Sequence, residues 1–188
     1  MNTEDFSPAR LADRAMITEM LHRWCRGVDR LDEEAMRDAF HPDATDNHGH
    51  YRGDVEGLIA WIRTRHATIP FAMHTITNII IEFAEADTAV VESQCMTAQH
   101  YPSATEATVK LFNAGKVGRP MDMIGFARYV DRFERRAGQW KIAERTVVYD
   151  SQIVTESPGA PAMTGVENGR RDRTDFIYRL RESAGLLA

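Results

Sequence analysis

Hydrophobic residues recur three and four positions apart in the first third of the chain, which is the helical period. Pro8 suits a first helical turn, and Asp32 is a good N-cap followed by acidic residues. The pattern therefore predicts three successive helices, which span approximately Ser7 to Gly27, Asp32 to Phe40, and Asp54 to His66.

The pattern then changes to alternation, which is typical of half-buried β-strands. Four long strands are predicted, covering Phe71 to Phe83, Thr88 to Tyr101, Met121 to Arg135, and Trp140 to Val154. Ala137-Gly138 signals a tight hairpin between the last two strands. No helix separates these strands, so the sequence predicts an antiparallel meander and an α+β fold class, in contrast to alternating βαβ units.

The remaining residues form a separate segment. Residues 7–155 are predicted to make one domain, and residues 156–188 a C-terminal extension. The extension opens with SPGAP, which favours a loop, and it ends in a charged stretch from Asp172 to Ser183. Phe176, Ile177 and Leu180 fit one face of a short helix there, so the extension is expected to pack on the domain, on a neighbouring subunit, or over a pocket mouth.

Composition excludes several classes of protein. The chain has 188 residues and a formal charge of −5, with no run of Lys or Arg, which argues against nucleic-acid and membrane partners. There is no signal-peptide pattern and no apolar stretch long enough to span a membrane, so a soluble, cytoplasmic protein is expected. Cys25 and Cys95 are too few for a disulfide framework and are expected to be free, buried thiols.

Most catalytic signatures are missing. There is no glycine-rich phosphate loop, no nucleophile elbow and no paired-cysteine metal motif, so we expect no nucleotide, no metal and no other cofactor. The segment Asp46 to His50 contains two histidines beside a carboxylate and could be a metal cluster. No further ligand pair stands at suitable spacing, so a solvated loop is the favoured interpretation.

His74 stands out because it lies in mid-strand among apolar and small residues. It could be a core histidine that a backbone carbonyl satisfies, or it could be a general base oriented by a carboxylate. Asp29, close to the end of the first helix, is the candidate carboxylate, although an aspartate at a helix end can also be purely structural.

Several short motifs carry a family resemblance. GVDR follows the first helix, HTITN lies on the first long strand, and RFERRAGQWKIAER forms a late hairpin. With the order of elements, these motifs resemble the nuclear transport factor 2-like superfamily, and within it the SnoaL-like group that includes hexachlorocyclohexane dehydrochlorinase and scytalone dehydratase. The resemblance covers roughly Ala9 to Val154. It implies a cone-shaped α+β barrel in which a strongly curved antiparallel sheet wraps the helices around a deep, largely apolar pocket.

The resemblance also implies roles for individual residues. His74 and Asp29 match the catalytic pair of the dehydrochlorinase and dehydratase members, and Arg145 matches a pocket arginine of the dehydrochlorinase. Tyr149 is expected on the same inner face as Arg145. Both residues have structural alternatives: Arg145 could pair with Asp29 or a neighbouring glutamate, and Tyr149 could be a core aromatic.

Three further residues complete the expected substrate site. Trp24 stands where the dehydrochlorinase has a lysine, so an aromatic side chain would line the pocket in place of a cation. The alternative is that Trp24 is a core residue. Thr97 is expected to face the pocket. His100 lies where scytalone dehydratase has a second histidine, but strand alternation from Thr97 turns His100 outward unless a bulge intervenes.

Taken together, these features predict a cofactor-independent lyase of the dehydratase type, acting on a small, apolar, cyclic substrate. The alternatives are an isomerase or cyclase on the same residue pair, or a non-catalytic module for ligand binding or oligomerisation. Alternation also places apolar residues on the outer face of the sheet, namely Ile124, Phe126, Ile142 and Val148. Because a large apolar face is unstable in water, a homo-oligomer is expected, and the resemblance favours a trimer over a dimer.

Overall fold

The computed structural model describes residues 3–186, and its first long element is a helix of 23 residues, α1 (Pro8–Arg30), which follows a short 3₁₀ helix (Thr3–Phe6). The Ser7 hydroxyl accepts a hydrogen bond from a backbone N–H of the first turn, as expected of an N-cap. The helix continues past its predicted end at Gly27 and stops where Leu31 adopts a left-handed φ of 51°.

Two shorter helices follow, α2 (Glu33–Asp38) and α3 (Val55–His66). Each begins after an aspartate; Asp32 was predicted as a cap, whereas Asp54 was predicted as the first residue of its helix. The Asp32 carboxylate accepts a backbone N–H of α2 at 3.2 Å, and the Asp54 carboxylate accepts one of α3 at 2.8 Å. These caps satisfy N–H groups that the helix itself cannot pair.

A buried carboxylate anchors α1 to the sheet. Asp13 is only 3% exposed and accepts the Trp140 indole N–H at 2.8 Å and an Arg135 N–H at 3.0 Å. The buried Asp13 carboxylate and the buried Trp140 indole N–H therefore satisfy each other's need for a hydrogen-bond partner. This contact fixes the N-terminal half of α1 against the last two strands.

The sheet has six strands, in the order β2-β1-β6-β5-β4-β3. Their bounds are β1 (Phe40–Asn47), β2 (Arg52–Asp54), β3 (Phe71–Glu85), β4 (Thr88–Tyr101), β5 (Met121–Arg136) and β6 (Gln139–Glu156). The last four strands form the predicted antiparallel meander. β1 and β2 were not predicted, and β1 runs parallel to β6, so the sheet is mixed and not wholly antiparallel.

The hairpin between β5 and β6 turns at the predicted dipeptide, where Ala137 (φ 49°) and Gly138 (φ 79°) are both left-handed, as a two-residue hairpin turn requires. Farther along the same hairpin the pairing shifts by one residue, so that Arg132 lies opposite Glu144 but Phe133 opposite Ile142. The extra residue is Ala143.

This bulge corrects one prediction. Ile142, predicted on the outer face, is fully buried in the core. It shares the inner face with Arg145, because the extra residue between them changes the alternation.

A second irregularity lies in β3. The pairing with β4 shifts between Thr77 and Ile80, and Asn78 adopts a left-handed φ of 49°. His74 lies on the inner face before this point, and Ile81 is buried in the core after it. Simple alternation placed these two residues on opposite faces.

The helices α1, α2 and α3 pack on the inner face of the sheet and share one hydrophobic core with it. A second, smaller apolar cluster lies where β4 ends and β5 begins, and it includes Tyr101, Met121 and Phe112 of α4 (Glu106–Phe112). Helix α4 lies between β4 and β5, where no helix was predicted, and Thr105 caps its first turn. The architecture is an α+β cone whose sheet is not closed, as predicted for the fold class.

The outer face of the sheet carries a row of exposed apolar side chains on adjacent strands. Met73, Ala98, Ile124 and Ile153 lie side by side across the four strands of the meander, and Met96 pairs with Phe126 in the next row. Met73 (44%), Met96 (40%), Phe126 (37%) and Ile153 (51%) are all partly exposed. The predicted outward orientation of Ile124 and Phe126 agrees with this register.

The C-terminal segment, residues 157–186, leaves β6 and crosses to the end of α1. It includes one helix, α5 (Phe176–Ser183), within the predicted charged stretch. The Tyr178 hydroxyl donates to Asp32 at 2.8 Å, and Arg173 donates to Asp32 at 3.0 Å and to Glu34 at 2.8 Å. Within the described residues, no helix is both long and apolar enough to cross a membrane.

Candidate functional site

The structure brings Asp29 and His74 together where α1 crosses the free edge of the sheet. Asp29 lies in the last turn of α1, and His74 lies on β3, the edge strand. Asp29 Oδ2 accepts the backbone N–H of His74 at 2.9 Å, and Asp29 Oδ1 lies 2.6 Å from His74 Nδ1. One carboxylate therefore satisfies an unpaired N–H of the edge strand and also holds the imidazole ring.

This contact determines where the imidazole proton lies. An ionised carboxylate can only accept hydrogen bonds, so Nδ1 of His74 carries the proton that Asp29 binds. In the neutral ring Nε2 then has a free lone pair, and within residues 3–186 it makes no hydrogen bond. His74 and Asp29 are thus arranged as a base and its orienting carboxylate, with side chains 9% and 10% exposed.

A pocket of about 250 Å³ opens beside this pair, between α1 and β3. Its lining residues are His22, Cys25, Arg26, Asp29, Arg30, His74 and Ile76. Ligand pockets typically have volumes of roughly 300–1,000 Å³ and are mostly apolar. The pocket is smaller, more open and more polar than the deep, apolar cavity that the resemblance implies.

Two arginines give the pocket a positive character. Arg30 forms an ion pair with Asp175 of the C-terminal segment, at 3.3 Å. Arg26 is half-buried and has no hydrogen-bond or ion-pair partner in the described part of the chain. The guanidinium of Arg26 is therefore available to an anionic group of a ligand.

Arg145 does not line this pocket. Its side chain has no exposed surface, and its Nε and Nη2 donate to the two oxygens of Asp131 at 2.7 and 2.6 Å. The guanidinium also lies over the ring of Tyr129, 3.9 Å from its centre. The structure therefore places Arg145 away from the pocket where substrate binding was expected. We interpret it as a buried structural residue whose carboxylate partner is Asp131, which the sequence interpretation did not consider. Its Nη1 has no hydrogen-bond partner among the described residues.

Trp24 and Tyr149 are also placed away from the pocket. Trp24 is fully buried and packs edge-on against Phe40, with ring centres 5.1 Å apart. Tyr149 lies on the inner side of β6, opposite Ala127, but is 64% exposed. Trp24 is thus a core aromatic, and Tyr149 lies where β6 extends beyond the helices that cover its earlier part.

Thr97 and His100 lie on opposite faces of β4. Thr97 is directly opposite His74 on the inner face, but it is not among the residues that line the pocket, where it was expected. His100 faces outward, where its Nδ1 lies 2.7 Å from Asp122 Oδ1 and the C-terminal segment covers it at Gly159. No bulge intervenes between the two residues, so alternation holds and His100 is not a pocket residue.

The segment from Asp46 to His50 is partly ordered, in contrast to the predicted solvated loop. Asp46 lies on β1, and its carboxylate Oδ1 is 2.5 Å from His48 Nδ1. His48 packs near Trp61 inside the cone. Across the described residues, no three His, Cys, Asp or Glu side chains are grouped as metal ligands would be.

Burial shifts the pKa of two groups near the pair, Cys25 and His66. Burial raises the pKa of the Cys25 thiol far above its ordinary value, so Cys25 stays protonated although it lines the pocket. Burial, followed by the charges of Arg65 and Arg171, lowers the pKa of His66 to about 2. His66 is therefore neutral, and its Nδ1 accepts a hydrogen bond from Arg171 at 3.0 Å.

The sequence is similar to one known protein family. The family model described as SnoaL-like domain matches residues 9–146. No curated protein matches the sequence at a significant level.

Solved structures share the fold at low identity. A hexachlorocyclohexane dehydrochlorinase of type 2 superposes with a TM-score of 0.66 at 21% identity, covering 84% of this chain and 97% of that one. A type 3 hexachlorocyclohexane dehydrochlorinase from Novosphingobium barchaimii superposes with a TM-score of 0.62 at 20% identity, covering 84% of this chain and 94% of that one. A provisionally assigned scytalone dehydratase from Novosphingobium aromaticivorans superposes with a TM-score of 0.62 at 17% identity, covering 84% of this chain and 97% of that one.

Proposed function

The chain belongs to the SnoaL-like domain family, and from that premise we propose that it is a cofactor-independent lyase that removes water from a small cyclic compound. The observation that supports this proposal most directly is the 2.6 Å contact between His74 Nδ1 and Asp29 Oδ1 at the edge of a pocket. Solved structures of similar fold include a hexachlorocyclohexane dehydrochlorinase and a provisionally assigned scytalone dehydratase.

In the proposed reaction, Nε2 of His74 removes a proton from a substrate carbon. The electrons of that C–H bond form a double bond to the neighbouring carbon, whose bond to a hydroxyl group breaks. The departing hydroxide takes the proton back from the imidazolium and leaves as water. Asp29 keeps the ring in the required tautomer and stabilises the imidazolium while it is charged.

In this proposal Arg26, and not the expected pocket arginine Arg145, stabilises negative charge on the substrate. A proton is removed from carbon most easily when the negative charge spreads onto a neighbouring oxygen, which needs a donor or a cation. Arg145 is fully buried and pairs with Asp131, whereas Arg26 lines the pocket and has no hydrogen-bond or ion-pair partner among the described residues. We assign the stabilisation of that oxygen to Arg26.

The pocket also narrows the substrate class. A volume of about 250 Å³ suits one ring better than a fused ring system. The polar lining favours a ring that carries oxygen substituents, with an apolar edge against Ile76. Water is a better candidate than chloride for the leaving group, since Trp24, the counterpart of a lysine in the dehydrochlorinase, is fully buried.

The test is a screen of the purified full-length chain against hydroxylated single-ring compounds, with products identified by mass. We expect loss of water in the wild type and no turnover in His74→Ala. His100→Ala is the matched control, because it removes a second His–Asp contact on the outer face. Turnover that survives both His74→Ala and Asp29→Asn overturns the proposal, and a product of unchanged mass assigns an isomerase instead.

We further propose that the protein is a homo-oligomer, with a trimer favoured over a dimer. The support is the exposed apolar row on the outer face of the sheet, which includes Met73, Met96 and Phe126. Exposed apolar faces of this kind are typical of surfaces that another chain covers.

A further inference from the structure

The C-terminal segment reaches the candidate site, although it lies outside the matched domain, which ends at residue 146. Most of its contacts are with side chains on the first two helices, such as those of Arg173 with Asp32 and Glu34. Arg171 is different, because its guanidinium contacts backbone atoms in the last turn of α1. That turn carries Asp29.

Each nitrogen of the Arg171 guanidinium has a partner. Nε donates to the carbonyl of Asp29 at 3.0 Å, Nη1 to the carbonyl of Ile69 at 3.1 Å, and Nη2 to the carbonyl of Val28 at 2.9 Å. Nη2 also lies 3.0 Å from His66 Nδ1. One planar group thus joins the end of α1, the end of α3 and the connection into β3.

This arrangement meets a requirement of the helix end. The last carbonyls of a helix have no partner within the helix, and they carry a partial negative charge that favours a cation. A guanidinium fork satisfies two adjacent carbonyls at once, which a lysine ammonium cannot do with the same geometry. The backbone of Asp29 is therefore fixed by Arg171, while its side chain is fixed by His74.

We propose that Arg171 is a positioning residue for the Asp29–His74 pair, so that the C-terminal segment completes the site. The inference rests on the proposed lyase function for its catalytic meaning. Its structural content is that the Asp29 carboxylate holds its place on the edge of β3 only while Arg171 holds the end of α1.

The backbone N–H of His74 reports on the position of the Asp29 carboxylate directly, because it donates to Asp29 Oδ2 at 2.9 Å. We would measure hydrogen exchange of this amide by NMR in the full-length chain, with amides of β4 as the internal reference for global stability. Arg171→Gln and Arg171→Lys are expected to speed exchange at His74 by about tenfold or more relative to β4. Arg171→Lys keeps the charge but not the fork, and it remains informative if the glutamine variant folds poorly.

The matched control is Arg173→Gln, which removes a cation of the same segment that contacts Asp32 and not Asp29. It is expected to leave exchange at His74 unchanged. Equal exchange at His74 in the wild type and in both Arg171 variants overturns the proposal. So does a uniform rise across β4, which would assign Arg171 a purely global role.

Kinetics separate this inference from the lyase proposal. With any compound that the wild type dehydrates, Arg171→Lys is expected to lower kcat about tenfold or more with little change in KM, since the pocket lining is intact. If the wild type shows lyase activity and Arg171→Lys has unchanged exchange at His74 and unchanged kcat, the positioning role is refuted and the lyase proposal stands. Absence of turnover in the whole screen refutes the lyase proposal and leaves the exchange result to decide the structural role.

Discussion

The Asp29 carboxylate binds His74 at two points, the ring Nδ1 at 2.6 Å and the backbone N–H at 2.9 Å. A single contact to the ring would leave the carboxylate free to rotate with it. The second contact ties Asp29 to the strand itself, so the ring is held in one orientation relative to β3. This geometry distinguishes the pair from the contact between His100 and Asp122 on the outer face, where only the ring is bound.

Replacing Asp29 with asparagine tests the orientation of the imidazole proton. The amide can donate to Nδ1, which favours the tautomer with the proton on Nε2 and removes the free lone pair. We expect kcat to fall by about 10²–10⁴-fold with the fold intact. The ¹⁵N shifts of the His74 ring would report the tautomer, and an unchanged tautomer together with unchanged kcat would contradict the assignment.

Arg26→Gln tests the cation of the pocket. Because Arg26 has no hydrogen-bond or ion-pair partner among the described residues, its loss should change the free energy of unfolding by no more than about 0.5 kcal/mol. We expect kcat/KM to fall by about 10- to 100-fold through weaker stabilisation of negative charge. Arg23→Gln is the control, since Arg23 is an exposed neighbour paired with Glu19, and equal losses in the two variants would argue against a role for Arg26.

Asp131→Ala tests the assignment of Arg145 as a structural residue. The substitution leaves a fully buried guanidinium without its carboxylate, which is expected to lower the free energy of unfolding by about 3–5 kcal/mol in urea titrations. The double variant Asp131→Leu with Arg145→Met should recover most of that loss, because well-packed apolar residues can replace a buried ion pair. Loss of turnover in a stable double variant would contradict the structural assignment and would indicate that Arg145 takes part in substrate binding.

The helices were predictable because their signals are local. Ser7, Asp32 and Asp54 cap their helices through their own side chains, so a few neighbouring residues determine each start. The end of α1 was less certain. It depends on Leu31 in a left-handed conformation, which a leucine rarely adopts and which sequence does not signal.

The sheet was predictable only as far as its pairing is regular. Counting outward from the turn at Ala137-Gly138 pairs Arg145 with Val130, but the extra residue Ala143 moves Arg145 opposite Asp131. A one-residue shift of this kind changes the partner and the face together. The ion pair of Arg145 therefore could not be derived from alternation alone.

The first strand was missed for a related reason. β1 includes Pro42 and Asp43, which are unfavourable for strands, and it pairs in parallel with a strand far along the chain. The contact between Asp29 and His74, in contrast, was anticipated from the family resemblance. The role of Arg171 was not, because the C-terminal segment lies outside the resemblance and its contacts with α1 follow only from the tertiary structure.

The pKa of His66 predicts how stability depends on pH. In the folded chain burial lowers this pKa from its ordinary value of 6.5 to about 2. Below about pH 6.5 the unfolded chain binds a proton that the folded chain does not, so stability falls as pH falls, by at most about 1.4 kcal/mol per pH unit. Urea titrations between about pH 7.5 and about pH 5.5 should show this slope. His66→Gln, which can still accept from Arg171, should flatten it, and an equal slope in both proteins would contradict the prediction.

The outer face of the sheet gives the prediction on assembly. Met96 and Phe126 lie opposite each other on β4 and β5, 40% and 37% exposed. If a second copy covers them, burying a charge there without a partner is unfavourable, so Phe126→Asp should dissociate the oligomer. Light scattering should give about three times the 21.3 kDa chain mass for the wild type and a single chain for the variant. Val117→Asp is the control, because Val117 is 57% exposed but lies in the loop between α4 and β5 and not on a strand. A wild type that is monomeric, or a Phe126→Asp variant of unchanged mass, would mean that this face is not the interface.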